Sequence, residues 1–253
     1  MKQWTMTERR LFILSIAVMV FFVVDPTVMA MHIMEGYLPP FHSIGWGAVC
    51  IPFLVIGMIS IRHLAGTQRK TVVLLAMAGA YIFVLSSLKI PSVTGSCSHM
   101  TGTGLAAILF GVPVTSILGI IVLLFQAVLL AHGGLTTLGA NTFSMAIAGP
   151  LMVFVLYQLG KKLKLNRSVN IFIAAALGDI ITYCVTSLQL AFAYPSAKGG
   201  FMASAVKFLA VFAPTQLPLA IIEGILTVLI VMGLESLAMP ELRSINFLQE
   251  GKR

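Results

Sequence analysis

The sequence predicts an all-α membrane protein that crosses the bilayer about seven times in its mature form. Of the 253 residues, 58% are hydrophobic and only 9% are charged, and the mean hydropathy is +1.01. A soluble domain carries roughly a quarter charged residues, so this chain could not maintain a water-facing surface. Several apolar runs approach the ~20 residues that a helix needs to cross the hydrocarbon core.

The first thirty residues (1–30) have the pattern of a cleaved secretory leader. Basic residues precede an apolar core from Leu11 to Val24, and Val28-Met29-Ala30 fits the small-x-Ala cleavage pattern. We expect cleavage after Ala30, which leaves a single transmembrane domain of residues 31–253. Cleavage would also create a free amine on Met31.

The crossings of the mature chain follow from the remaining apolar runs. One run is too short to span the bilayer alone, so we expect a half-length helix that packs against protein. A further short helix is expected near the outer surface at 201–213. The predicted crossings are 41–62, 71–89, 104–110, 114–131, 142–160, 170–194 and 215–235.

Basic residues predict the orientation, because Lys and Arg concentrate in cytoplasmic loops of membrane proteins. If the mature chain starts outside and crosses seven times, all of the 16 Lys and Arg residues except Lys89, Lys198 and Lys207 fall inside. We therefore expect a multi-pass protein of a prokaryotic plasma membrane, with the mature N-terminus extracytoplasmic and the C-terminus cytoplasmic. The net charge of +8 reflects topology and does not indicate a nucleic-acid partner.

Histidines at the predicted outer end suggest a metal site. His32, His42, His99 and His132 all fall there, whereas His63 lies in a basic inner loop. After cleavage, the new terminal amine, the amide nitrogen of His32 and its imidazole would form two fused chelate rings. Three nitrogens in one plane suit Ni(II) or Co(II), and a distant histidine could supply a fourth. The amide must lose its proton, so binding would weaken as the pH falls.

The polar link Gly95–Gly104 around His99 also favours a binding site. Its glycines allow close backbone approach, and its Ser and Thr residues can fix the tautomer and direction of an imidazole. Cys97, Ser98 and Met100 could line the site, and the two sulfur atoms rank below His99 as ligands.

Other buried polar residues leave alternatives open. His132 and Asn141 belong to a second outer link, 132–141, and could either line the site or cap helices. Asp179 and Glu223 are acids inside late helices, and intramembrane acids suggest a function by default. Hydrogen bonds from nearby amide side chains favour a structural role for both acids, while a proton relay remains an alternative.

Three motifs resemble a known family. MHIMEGYLPP (31–40), GSCSHMTGTGL (95–105) and LLFQAVLLAHGGLTTLGANTFSMAIAGP (123–150) resemble, in this order, the CbiM family of cobalt substrate-binding subunits (S components) of energy-coupling factor (ECF) transporters. The resemblance covers essentially the whole mature chain. It implies the seven-helix S-component fold and a metal site built from the N-terminal amine, the second residue and the histidine of the Gly-Ser-Cys-Ser-His motif, which are here Met31, His32 and His99.

The resemblance further implies Co(II) as the transported substrate, cobalt supply for cobalamin biosynthesis, and no organic cofactor. The implied partners are a small membrane subunit, a transmembrane coupling subunit and cytosolic ATPase subunits, besides the lipid bilayer. Met100 and Ala106 stand where the cobalt branch often has proline and glycine, whereas Cys97-Ser98 favours cobalt over the related nickel branch. A nickel-specific S component therefore remains an alternative.

Two other functional classes also remain open. An intramembrane hydrolase could pair His99 with Ser96 or Ser98, and a secondary carrier could move protons through Asp179 and Glu223. The sequence contains neither a G-x-x-x-x-G-K-[ST] loop nor an H-E-x-x-H motif. We therefore predict a transport subunit that is not itself an ATPase or enzyme and that takes its energy from a partner.

Overall fold

A computed structural model describes residues 32–67, 69–91, 97–245 and 247, which form a bundle of apolar helices. The predicted leader 1–30 and Met31 lie outside these residues. By length and composition, five described segments could cross a membrane: Pro40–Gly66, Val112–Leu130, Leu138–Lys162, Arg167–Ala193 and Gly200–Leu237. The predicted all-α polytopic fold is confirmed.

The helices are connected mostly by short links. A π-helix over Thr142–Ala148 joins α5 to α6 within one span, and two short antiparallel strands, β1 (Ile90–Pro91) and β2 (Cys97–Ser98), precede α3. In chain order the α-helices are α1 (Pro40–Thr67), α2 (Arg69–Ser87), α3 (Thr103–Phe110), α4 (Val112–Leu130), α5 (Leu138–Asn141), α6 (Gly149–Lys162), α7 (Arg167–Ala193), α8 (Gly200–Leu237) and α9 (Met239–Ser244).

Two shorter helices complete the predicted set of crossings. The apolar part of α2, Thr71–Ser87, is shorter than the five long segments. Helix α3 has eight residues and is buried from Thr103 to Leu109, as expected for a half-length helix packed against protein. Gly111 separates α3 from α4 at φ +80°, a backbone conformation that glycine adopts readily.

The predicted break between 201–213 and 215–235 is wrong. Helix α8 is continuous over 38 residues and includes Pro214 and Pro218, so it is roughly 57 Å long at 1.5 Å per residue. The Thr215 hydroxyl donates to the carbonyl of Phe212 at 3.1 Å. Prolines are tolerated in membrane helices where the surrounding protein satisfies the freed backbone groups, and at this length α8 extends beyond a single crossing.

Close helix contacts depend on small residues. An added Cβ at Gly149 would lie 2.1 Å from the Thr182 hydroxyl, so α6 and α7 approach closely only because glycine occupies that position.

In contrast, Ile51, Val55 and Ile59 on α1 are more than half exposed. Apolar side chains directed outward are expected for helices that face lipid.

The segment that precedes α1 packs into one end of the bundle. Ile33 and Leu38 are buried in an apolar cluster with Tyr183 of α7 and with Phe208 and Phe212 of α8. This burial brings the neighbouring His32 into the protein interior, close to the links that follow β2 and α4.

Candidate metal centre

Three imidazoles from three separate segments converge at this end of the bundle. His32 belongs to the N-terminal segment, His99 follows β2, and His132 follows α4. Nδ1 of His32 lies 2.5 Å from Nε2 of His99 and 3.0 Å from Nε2 of His132. The three side chains are 3%, 0% and 1% exposed. We refer to these residues as the histidine cluster, and their nitrogens lie within 4.8 Å of one another.

The tautomer of His99 follows from its backbone contact. Its Nδ1 lies 2.8 Å from the carbonyl oxygen of Met100, a group that can only accept a hydrogen bond. Nδ1 therefore carries the proton, and the lone pair of Nε2 faces His32. A metal-binding histidine commonly donates its second ring N–H to a carbonyl in this way.

Burial keeps the histidine cluster uncharged at neutral pH. The pKa of His99 is lowered to about 4, mainly by loss of solvation and to a smaller extent by positive charge on Lys89. The pKa of His132 is lowered to about 3 by loss of solvation, by His99 and by Lys89. The pKa of His32 is also well below its usual value, first because of burial and then because of His99 and His132. Each ring therefore keeps one nitrogen lone pair available for a metal.

The arrangement is better suited to a cation than to hydrogen bonds alone. In a neutral imidazole, Nδ1 of His32 carries either one proton or one lone pair. One proton cannot be donated fully to both neighbouring nitrogens, and a lone pair would face the lone pair on Nε2 of His99. Nε2 of His32 and Nδ1 of His132 are buried without a hydrogen-bond partner. A cation among the three facing nitrogens would engage all of them, and imidazole suits Co, Ni, Cu and Zn ions.

Asn141 holds the backbone next to His32. Its side-chain oxygen accepts from the Ile33 N–H at 2.8 Å, and its amide nitrogen donates to the Ile33 carbonyl at 3.0 Å. The Thr137 hydroxyl donates to the same carbonyl at 2.6 Å. Asn141 was predicted to lie in the link 132–141, but it lies in α5.

A second contact fixes the N-terminal segment further along the chain. The Glu35 carboxylate accepts hydrogen bonds from the backbone N–H groups of Leu135 and Thr136, and the Glu35 N–H donates to the Gly133 carbonyl at 3.2 Å. Hydrogen bonding from Thr136 lowers the pKa of Glu35. An added Cβ at Gly134 would lie 2.4 Å from Cα of Glu35, so this approach requires glycine.

Glu223 of α8 anchors the link that carries His99. Its carboxylate accepts from the Thr101 N–H at 2.6 Å, the Thr101 hydroxyl at 2.7 Å and the Gly102 N–H at 3.0 Å. Gln216 donates from its amide to the His99 carbonyl at 3.2 Å and to the Asp179 carboxylate at 2.5 Å. Both acids are thus part of the support of the His99 link.

The remaining predicted site residues have other contacts. The Ser98 hydroxyl lies 2.7 Å from the Thr215 hydroxyl, and the Met100 side chain is buried with Leu85 and Leu219. His42 lies at the start of α1 beside Phe41, with ring centroids 6.0 Å apart. The Cys97 side chain, like Met31, falls outside the described part of the chain.

Two supports of the site, Glu35 and Thr137, were not predicted from the sequence. Glu35 lies only three residues after His32, and an acid so close to a candidate N-terminal ligand was the available signal. Thr137 gave no signal, because its contact with Ile33 joins residues 104 positions apart.

The bundle and its buried, neutral imidazoles define a polytopic helical membrane protein with a cluster suited to a transition-metal ion. Comparisons with known proteins agree. The profile of the family described as cobalt uptake substrate-specific transmembrane region, CbiM, matches residues 32–241. The chain belongs to the CbiM family, and it is a membrane component of cobalt uptake.

Individual relatives resemble almost the whole chain. The cobalt transport protein CbiM of Lachnoclostridium phytofermentans is 64% identical over 244 residues, which cover 96% of this chain and 98% of that protein. The cobalt transport protein CbiM of Chlorobium limicola is 56% identical, with 94% and 92% covered.

Solved structures give the same class. A truncated transition-metal transporter superposes with a TM-score of 0.71 at 27% identity, covering 81% of this chain and 98% of that one. A second transition-metal transporter has a TM-score of 0.71 at 28% identity, covering 81% and 92%.

Proposed function

We propose that the chain is the S component of an ECF-type importer and captures Co(II) at the extracytoplasmic face. Removal of residues 1–30 exposes the amine of Met31. Three positions in one plane around the metal are then taken by the Met31 amine, the His32 amide nitrogen and Nδ1 of His32. Nε2 of His99 takes the fourth. Planar nitrogen sets of this kind suit Co(II) and Ni(II), and the family assignment favours cobalt.

The orientation of the His32 ring is the observation that carries the proposal. A residue that binds metal through its own amide nitrogen can close the adjoining chelate ring only with Nδ1 of its imidazole. Nδ1, and not Nε2, is the atom that lies 2.5 Å from Nε2 of His99. The His99 tautomer leaves that Nε2 unprotonated, which supports its role as the distant ligand.

Energy for transport comes from partners in this proposal. The chain docks with a small membrane subunit, a transmembrane coupling subunit and cytosolic ATPase subunits, and the cobalt supplies cobalamin biosynthesis. The basic loops and C-terminus lie inside, and the histidine cluster lies outside with the mature N-terminus. A nickel-specific S component is the second candidate, since the same nitrogen set suits both metals.

The test of the metal site combines N-terminal sequencing of the membrane-inserted protein with its bound-metal content. We expect Met31 as the first residue and retained cobalt, which acetylation of the amine or His99→Ala abolishes. His63→Ala is the matched control, because His63 is an exposed histidine away from the cluster. Retention of the leader, or undiminished cobalt content after acetylation, would refute the chelate.

A competition experiment decides between the two metals. The purified protein is dialysed against equal concentrations of Co(II) and Ni(II), and both bound metals are measured. Predominant cobalt agrees with the family assignment, whereas predominant nickel selects the alternative.

Uptake of radioactive cobalt by cells tests the dependence on partners. We expect uptake to disappear when the ATPase subunits are deleted. Uptake that persists would instead select a self-sufficient carrier.

A further inference from the structure

His132 is an unexplained member of the histidine cluster. It follows α4 directly, and its backbone N–H donates to the Gln126 carbonyl at 3.1 Å, which fixes its position. Its ring is 1% exposed, its Nδ1 has no hydrogen-bond partner, and its Nε2 points to Nδ1 of His32 at 3.0 Å. The ring is thus buried with only Nε2 directed at a polar partner, and that partner is the metal-binding nitrogen of His32 in the proposed function.

The ring planes indicate how His132 approaches. The rings of His32 and His99 are inclined by only 26°, with centroids 4.4 Å apart. The His132 ring is inclined by 88° to His32 and 71° to His99, with centroid separations of 4.5 and 5.0 Å. In a chelate formed by the amide and imidazole of one residue, the ring lies close to the plane of the ligands. A square plane offers only two positions beside Nδ1 of His32, and the His32 amide takes one of them. Since His99 takes the other in the proposed function, His132, which also lies beside Nδ1, approaches from outside that plane.

The nitrogen separations agree with a common metal. With metal–nitrogen bonds of about 2.0–2.1 Å, two nitrogens at a right angle around one ion lie about 2.9 Å apart. The separations of Nδ1 of His32 from its two neighbours are 2.5 and 3.0 Å. Both separations are near this value, so His99 and His132 each fit as a neighbour of His32 at about a right angle around one ion.

We propose that Nε2 of His132 is an axial ligand of the bound Co(II), perpendicular to the plane formed by the terminal amine, the His32 amide, and the imidazoles of His32 and His99. This assignment rests on the proposed function, because it requires the planar set. An axial nitrogen adds a bond for Co(II), whereas Ni(II) is already well accommodated in a square-planar set. His132 thereby shifts the preference of the site towards cobalt.

X-ray absorption on the cobalt-loaded mature protein tests the assignment, because scattering from the outer ring atoms counts the bound imidazoles. We expect a count that includes all three rings in the wild type and one ring fewer in His132→Ala.

Electron paramagnetic resonance gives a second measure, since low-spin Co(II) has its unpaired electron directed along the axis. An axial nitrogen then splits the signal, and His132→Ala removes the splitting.

Binding measurements on the same variants test the effect on selectivity. We expect His132→Ala to weaken Co(II) binding by about tenfold or more and Ni(II) binding by a smaller factor. Added imidazole should restore the wild-type Co(II) spectrum, because it can occupy the space left by the ring. His42→Ala is the matched control, as a histidine at the same end of the bundle that lies outside the cluster.

The outcomes separate this inference from the proposed function. A wild-type protein that holds no cobalt refutes the proposed function. A wild-type protein that holds cobalt but lacks the third imidazole overturns only the role of His132, and so does an unchanged spectrum in His132→Ala. If His132→Ala does not fold, the wild-type imidazole count and axial splitting still decide the assignment.

Discussion

Acid should destabilise the metal-free protein through its buried imidazoles. Burial lowers the pKa of His99 from 6.5 to about 4, so folded His99 stays neutral at a pH where unfolded His99 binds a proton. The unfolded state thus binds more protons between these two values, and stability falls as the pH falls. From about pH 7 to about pH 5, His99 alone should lower the free energy of unfolding by about 2 kcal/mol.

Chemical denaturation of the metal-free protein in detergent at a series of pH values measures this effect. The comparison is with His99→Asn, which removes the titrating ring and keeps a polar side chain. The difference between the two proteins cancels the contribution of the other titrating groups. We expect the wild type to lose about 2 kcal/mol more than the variant over that interval. Equal pH slopes in the two proteins would refute the reasoning.

Three further predictions concern the residues that support the histidine cluster. Asn141→Ala leaves the buried Ile33 N–H without its acceptor and should lower the free energy of unfolding by about 1–3 kcal/mol in denaturation experiments. Gly134→Ala forces a Cβ against the Glu35 backbone and should reduce cobalt retention measured after gel filtration, whereas Gly45→Ala, with nothing within 4 Å, should not. Glu223→Gln weakens the anchor of the His99 link and should lower Co(II) affinity about 10–100-fold by calorimetry; unchanged affinity would contradict that role.

Local features of the sequence predicted much of the fold and part of the candidate site. Apolar length predicted the long spans and the half-length helix α3, and the end of α3 is also set locally, by Gly111 at φ +80°. The interest in His32 also came from local chemistry, since an amine, an amide and an imidazole on adjacent residues can chelate without any tertiary structure.

Tertiary contacts explain what the sequence did not reveal. The predicted break between 201–213 and 215–235 is absent, because α8 continues through Pro214, and Phe212 and Gln216 on either side of it are buried. The proximity of His132 to His32 depends on contacts between residues 100 positions apart. No spacing rule covers such a distance, so the sequence alone left the role of His132 open.

The two intramembrane acids also illustrate this dependence on tertiary structure. The carboxylate of Glu223 is fully buried and accepts three hydrogen bonds from Thr101 and Gly102 in the His99 link. Asp179 is joined to the same link through Gln216. These contacts hold the His99 link in place. The cost of burying the acids is therefore explained by the positioning of His99, and the hydrogen bonds favour a structural role over proton transport.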